Sequence, residues 1–279
     1  MTFRSIFVHQ DDSSQSELTL DAALRLARHY PAELDGGYIV PTREMTPMAS
    51  AFLPSDMVEA RLRATAEAQA AAEARFRKAA AAAGVKSIRW SAPAGDPVDA
   101  AVVQARYSDL AVVSQPPRDE RAGAFASELV NAVIMDSGRP VLFVPFIGAG
   151  KTLGERILIA WKDSRESARA VDDALPLIKD AKAVEVLAVM PRDDESVRDH
   201  VTDIAVEGFL KRHQVHATVK RTVAPDIQAG EFLLSRAADF GADLIVMGGY
   251  SRPRLSRLVW GGVSKLLLDS MTVPVLMSH

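Results

Sequence analysis

The chain has 279 residues, 48% hydrophobic and 25% charged, which suits about two soluble globular domains. It has no cysteine, so disulfides, thiolate metal sites and cysteine nucleophiles are excluded. A net charge of −3 argues against a nucleic-acid binder, and no apolar run approaches the roughly 20 residues that span a bilayer.

The first apolar run meets acids at once at Asp11 and Asp12. It reads as a buried strand over 5–10 and not as a signal peptide, so the chain is expected in the cytoplasm. Apolar residues at Leu18, Leu20, Ala23, Leu24 and Leu26 have helical spacing over 14–29. A strand over 33–40 follows. The stretch 41–55 is rich in Pro, Thr and Met and has no clean period. It is expected to be either a lid or docking surface over the first half's cleft, or a plain surface loop. The Ala-rich run 56–83 predicts a long helix. Strand 87–92, helix 98–106, strand 110–114, helix 128–135 and strand 141–144 complete this half. Small residues at 147–151 mark a boundary. The second half reads as strand 156–161, helix 167–178, strand 183–190, helix 196–213, strand 217–223, helix 230–240, strand 244–248, helix 258–269 and strand 275–277.

The halves repeat each other. Ser-Asp-Leu-Ala-Val-Val at 108–113 mirrors Ala-Asp-Leu-Ile-Val-Met at 242–247, and Pro140 mirrors Pro274, both at an offset of 134. Ile6-Phe7-Val8 mirrors Ile157-Leu158-Ile159 at an offset of 151, so the first half carries about 17 extra residues before its fourth strand. Two domains follow, 1–146 and 153–279. Strands alternating with helices predict an α/β fold: two tandem domains, each a five-stranded, mostly parallel sheet with helices on both faces. Ligands of such sheets sit beyond the carboxyl ends of the strands.

The informative stretch there runs from Met247 and Gly248 to Gly261, Gly262 and Val263, with Ser251, Arg252, Arg254 and Arg257 between. Glycines let backbone approach an anion, and a helix start favours phosphate. A strand–helix loop with solvated arginines is the structural alternative. The stretch resembles the universal stress protein signature: Gly, two residues, Gly, nine residues, Gly, then Ser or Thr. Gly248, Ser251 and Gly261 fall at the glycine positions and Gly262 at the hydroxyl position, so two of four match. The strand 156–161 and the closing Pro-Val-Leu-Met also match. The resemblance implies a Rossmann-like, adenine nucleotide alpha-hydrolase-like fold, and a regulator that responds to stress. It also implies domains that pair through their last strands, and ATP binding in some members.

By resemblance the second half would hold ATP or another adenine nucleotide through Ala160, Trp161, Lys162, Asp163, Met247, Gly248, Ser251, Arg252, Gly261, Gly262 and Val263. The Val189 backbone would meet adenine. The family's usual acid after the first strand is replaced by Lys162, with Asp163 beside it, and Gly262 offers no hydroxyl. The first half keeps Asp11 but has Ser114, Pro117, Ser127 and Glu128 at the loop positions, so it is expected to bind no triphosphate.

Other chemistry is weaker. Asp11-Asp12 reads as an exposed turn, since no acid ends the third strand. His213 and His216 read as a surface pair, and no metal is expected. Gly-x-Ser-x-Gly, Walker A and His-Glu-x-x-His motifs are absent from the sequence. The expected function is a ligand-dependent regulator and not an enzyme. A ligand-free adaptor and an adenylyl- or phosphoryl-transfer enzyme are the alternatives. The two halves are expected to form an intramolecular pseudo-dimer through 141–144 and 275–277, because both are apolar strands at a sheet edge. A homodimer of whole chains is compatible with this reading; nucleic-acid and membrane partners are not expected.

Overall fold

The computed structural model describes residues 2–41, 55–117, 123–190, 198–223, 226–249 and 262–279. Expectations that fall on 42–54, and those for Ser251, Arg252, Arg254, Arg257 and Gly261, lie outside these residues.

The first half runs β1 (Ser5–Gln10), α1 (Gln15–His29), β2 (Glu33–Tyr38), α2 (Ser55–Ala83), β3 (Ile88–Ser91), α3 (Pro97–Arg106), β4 (Leu110–Ser114), α4 (Ala124–Asp136) and β5 (Val141–Val144). The second runs β6 (Arg156–Trp161), α5 (Arg165–Asp173), α6 (Leu175–Asp180), β7 (Ala183–Met190), α7 (Arg198–Arg212), β8 (Ala217–Val223), α8 (Asp226–Phe240), β9 (Leu244–Gly248), α9 (Gly262–Ser270) and β10 (Val275–Ser278). The single helix expected over 167–178 is two: α5 stops at Asp173 and α6 restarts at Leu175. Pro176 explains the break, because it has no N–H to continue the ladder and sits in the first turn of the new helix.

The strands form one sheet in the order β3-β2-β1-β4-β5-β10-β9-β6-β7-β8. Every neighbour pair is parallel except β5 with β10, which run antiparallel with Leu142 opposite Leu276. Both sheet faces are covered, so the central strands are apolar throughout; all four residues of β5 and of β10 are buried. One face packs on α1, α2, α5, α6 and α7 through residues such as Leu24, Phe76, Ala170, Ile178 and Leu210. The other packs on α3, α4, α8 and α9 through Ala101, Val133, Leu233 and Leu267.

The mirrored aspartates have a shared structural task. Asp243 accepts the N–H groups of Gly154, Glu155 and Arg156 at 3.1, 3.1 and 2.9 Å. Asp109 accepts those of Arg4 and Ser5 at 2.7 and 3.1 Å. Each carboxylate ties the start of the half's first strand to the start of its fourth, satisfying donors that the ladder leaves open.

A second mirrored pair lies within the sheet. Glu185 on β7 is buried and bonds Arg236 through both carboxylate oxygens at 2.5 Å, with Lys220 at 3.3 Å. Asp35, at the matching place on β2, bonds Arg89 at 2.8 Å. Burial opposes ionisation of Glu185, but the bonds from Arg236 and Lys220 outweigh it and hold the carboxyl below its usual range.

Candidate functional site at the carboxyl ends of β6 and β9

In each half the chain leaves the first strand toward the second on one side, while the fourth strand lies on the other. This is the switch point at which open α/β sheets leave a crevice. In the second half it falls between the ends of β6 and β9.

β6 ends at Trp161, and Lys162 and Asp163 lead into α5. Ser164 caps α5, its hydroxyl accepting the Ser167 N–H at 3.2 Å. Lys162 N–H donates to the Ser167 hydroxyl at 3.3 Å. The turn that carries Lys162 is therefore closed from both directions. The first half repeats one of these bonds, with Asp11 N–H donating to the Ser16 hydroxyl at 3.2 Å, while α1 has no side-chain cap. Ser164, Ser167 and their counterparts Ser13 and Ser16 were missed as site residues. The repeated Ser-x-x-Ser after each first strand is the signal that could have found them.

β9 ends at Gly248, and the missing side chain matters. A Cβ there would stand 2.6 Å from the carbonyl carbon of Glu166 and 2.6 Å from the nitrogen of Ser167. Strand end and helix start are thus in backbone contact, which only glycine permits. Glu166 itself is buried and bonds Arg165 at 2.5 Å. Burial pushes its carboxyl up, but Arg165, the Glu166 N–H and Ser164 together prevail and hold it below the usual range.

The structure brings together Ala160, Trp161, Lys162, Asp163, Met247 and Gly248. Ala160 pairs with Met247 across the ladder, and Trp161 pairs with Ala188 beside Val189. The half-buried Trp161 indole packs against the core, and its Nε1 has no hydrogen-bond partner among the described residues. Lys162 and Asp163 are exposed, and their side chains make no hydrogen bond or ion pair among the described residues. Gly262 opens α9, and Val263 is half-buried against the core on that face.

The first half's acids are already occupied. Asp11 Oδ1 accepts both the N–H and the hydroxyl of Ser13, at 2.9 and 2.5 Å. Asp12 accepts the Tyr38 phenol at 2.9 Å. Burial, with Asp12 adding to it, pushes the Tyr38 phenol up to about 12. Ser114, at the place of Gly248, bonds Thr19 at 2.7 Å instead of admitting a helix backbone.

A family model for universal stress proteins matches residues 2–145 and again 154–279. The chain belongs to the universal stress protein family. A solved universal stress protein from Archaeoglobus fulgidus DSM 4304 is 17% identical over 99% of this chain and 96% of that one, with a TM-score of 0.76. A protein of unknown function from Pseudomonas aeruginosa PAO1 is 16% identical over 99% of this chain and 92% of its own, with a TM-score of 0.61. Identities this low show the fold alone. No curated protein matches the chain. The universal stress protein fold thus occurs twice here, with different chemistries at its strand ends: in one half an exposed Lys162 that has no side-chain partner among the described residues, in the other aspartates bonded to Ser13 and Tyr38. No helix among the described residues is long and apolar enough to cross a membrane, and no three His, Asp or Glu among them gather as a metal site would need.

Proposed function

We propose that this chain is a cytoplasmic stress-response regulator whose second half binds an adenine nucleotide, ATP first among them, without turning it over. One observation carries the reading: the exposed Lys162 ammonium stands at the strand switch point beside the α5 start, where Gly248 removes the side chain that would keep backbone apart. Amides at a helix start and a free cation are what phosphate oxygens seek. Arg165 offsets the buried Glu166 charge at this place. Trp161 and the backbone at Val189 border the side on which the base would lie. In the first half Ser114 stands at the place of Gly248 and bonds Thr19, and Pro117 has no N–H to offer, which disfavours a triphosphate.

The test uses the full chain. Native mass spectrometry of gently purified protein should find a retained adenine nucleotide, and calorimetric titration with ATP should give one site per chain. Lys162→Ala should weaken binding about tenfold, the worth of one charge-assisted hydrogen bond. No retained nucleotide and no heat on titration would leave the chain as an adaptor. Steady release of phosphate or pyrophosphate would make it an enzyme.

A further inference from the structure

Gln115 and Gly249 hold the same place in the two halves. They lie 134 residues apart, as Asp109 and Asp243 do. Each donates its N–H to the last strand of its own half, Gln115 to Val144 at 2.8 Å and Gly249 to Ser278 at 2.9 Å. Beyond the backbone they differ. The Gln115 side chain is 3% exposed and reaches into the other half. Its Nε2 donates to the carbonyl of Leu268 in the last turn of α9, and its Oε1 accepts the Phe146 N–H at 2.9 Å. That carbonyl is one of those a helix end leaves without an intrahelical partner. The carboxamide is therefore satisfied at both ends by groups that themselves need a partner.

At the mirror position Gly249 sends nothing back, and Ile134 of α4 fills the space. Ile134 is the counterpart of Leu268, again 134 residues earlier. A Cβ on Gly249 would stand 3.0 Å from its Cδ1. The reciprocal contacts between the halves thus have unlike chemistry, a hydrogen bond in one direction and a methyl group in the other. Both fall on one unit of the second half: Gly249 at the exit of β9, and Leu268 near the end of α9.

We propose that the first half acts as a clamp on the β9–α9 unit of the second, with Gln115 as its positioning residue. The residue that takes the glycine's place in the first half thereby serves the neighbouring half. The clamp stands on these contacts; its consequence for a ligand rests on the nucleotide reading above, since Gly248, Gly262 and Val263 belong to the clamped unit.

Hydrogen exchange read by mass spectrometry on the full chain tests this without any ligand. Gln115→Glu keeps the volume and the oxygen facing Phe146 but removes the donor to Leu268. Amides of 262–270 should exchange about tenfold faster, while β6, β7 and β8 stay as protected as in the wild type. Ile134→Val, a loss of one methyl, keeps the proposal testable if the first variant fails to fold; it should loosen the amide of Gly249 selectively. Uniform acceleration along the chain, or none, overturns the clamp. ATP titration separates the two proposals. A wild type that binds no nucleotide but shows the local acceleration keeps the clamp and loses the nucleotide reading. A wild type that binds ATP with an affinity and exchange pattern unchanged by Gln115→Glu keeps the nucleotide and loses the clamp.

Discussion

Gly248→Ala puts a methyl carbon 2.6 Å from two backbone atoms, the Glu166 carbonyl carbon and the Ser167 nitrogen. Ordinary contact needs about 3.5 Å or more, so roughly 0.9 Å must be made up. Neither neighbour can swing away. Ser167 is bonded to Ser164 and Lys162, and the α5 start belongs to a helix that packs on the core. Overpacking costs about 1–3 kcal/mol, and a clash with pinned backbone belongs at the upper end. Replacing a strand glycine returns roughly 0.5–1 kcal/mol. The net expectation is a loss of about 2 kcal/mol, or roughly 5 °C in a thermal melt followed by circular dichroism. Gly249→Ala is the internal control. Its Cβ would press on the end of the Ile134 side chain at 3.0 Å, while the nearest backbone atom, the Ser278 oxygen, stands at an ordinary 3.7 Å. It should cost less than about 1 kcal/mol. If Gly248→Ala melts with the wild type, the backbone contact is not tight and the argument is wrong. If the loss is as expected, failure of that variant to bind nucleotide says nothing about ligand contact. Lys162, exposed and without partners among the described residues, is the cleaner probe.

Asp243→Ala should destabilise more than Asp109→Ala, about 2 against about 1 kcal/mol in urea titrations, because three backbone N–H groups lose their acceptor instead of two; equal effects would contradict the anchoring role. The lowered carboxyl of Glu185 contributes stability that is complete above the ordinary value of about 4.5 and is lost as pH falls through its folded value. Glu185→Gln should therefore flatten the acid limb of a plot of denaturation midpoint against pH, and an unchanged limb would remove Glu185 as its source. The Tyr38 phenol, raised to about 12, contributes stability present below pH 10 and lost as pH rises toward 12. Absorbance of phenolate should show a late step near pH 12, and Tyr38→Phe should abolish it.

Buried parallel strands were legible because both their faces are apolar. β4 at Leu110–Ser114, β7 at Ala183–Met190 and β9 at Leu244–Gly248 stand where the apolar runs put them. Several helix starts were read late, by one residue at α3 and by four at α4 and α8, since a cap is set by one side chain and not by a period. Asp96, whose carboxylate accepts the Val98 and Asp99 N–H groups at 2.9 Å, starts α3 at Pro97. The repeat of Asp109 and Asp243 was visible, but its meaning was not, because the N–H groups they hold lie about a hundred residues earlier in the chain. At the candidate site, Gly248 could be singled out from its place after an apolar strand, and Lys162 and Asp163 by resemblance to the family. The fit of Gly248 against Glu166 and Ser167 depends on two segments far apart in sequence, as does the reach of Gln115 to Leu268. No local pattern encodes either.

The antiparallel seam between β5 and β10 gives the molecule a direction. On either side of it the strands of each half all point one way, and the two ways are opposite. Where one half presents carboxyl ends, the other presents amino ends. The crevice beside Lys162 and the turn of Asp11 and Asp12 accordingly open toward opposite ends of the shared sheet. One pole carries the exposed Lys162 beside Asp163, and the other the paired acids Asp11 and Asp12. Two identical halves would offer a partner the same surface at both poles; this chain offers it a choice of one.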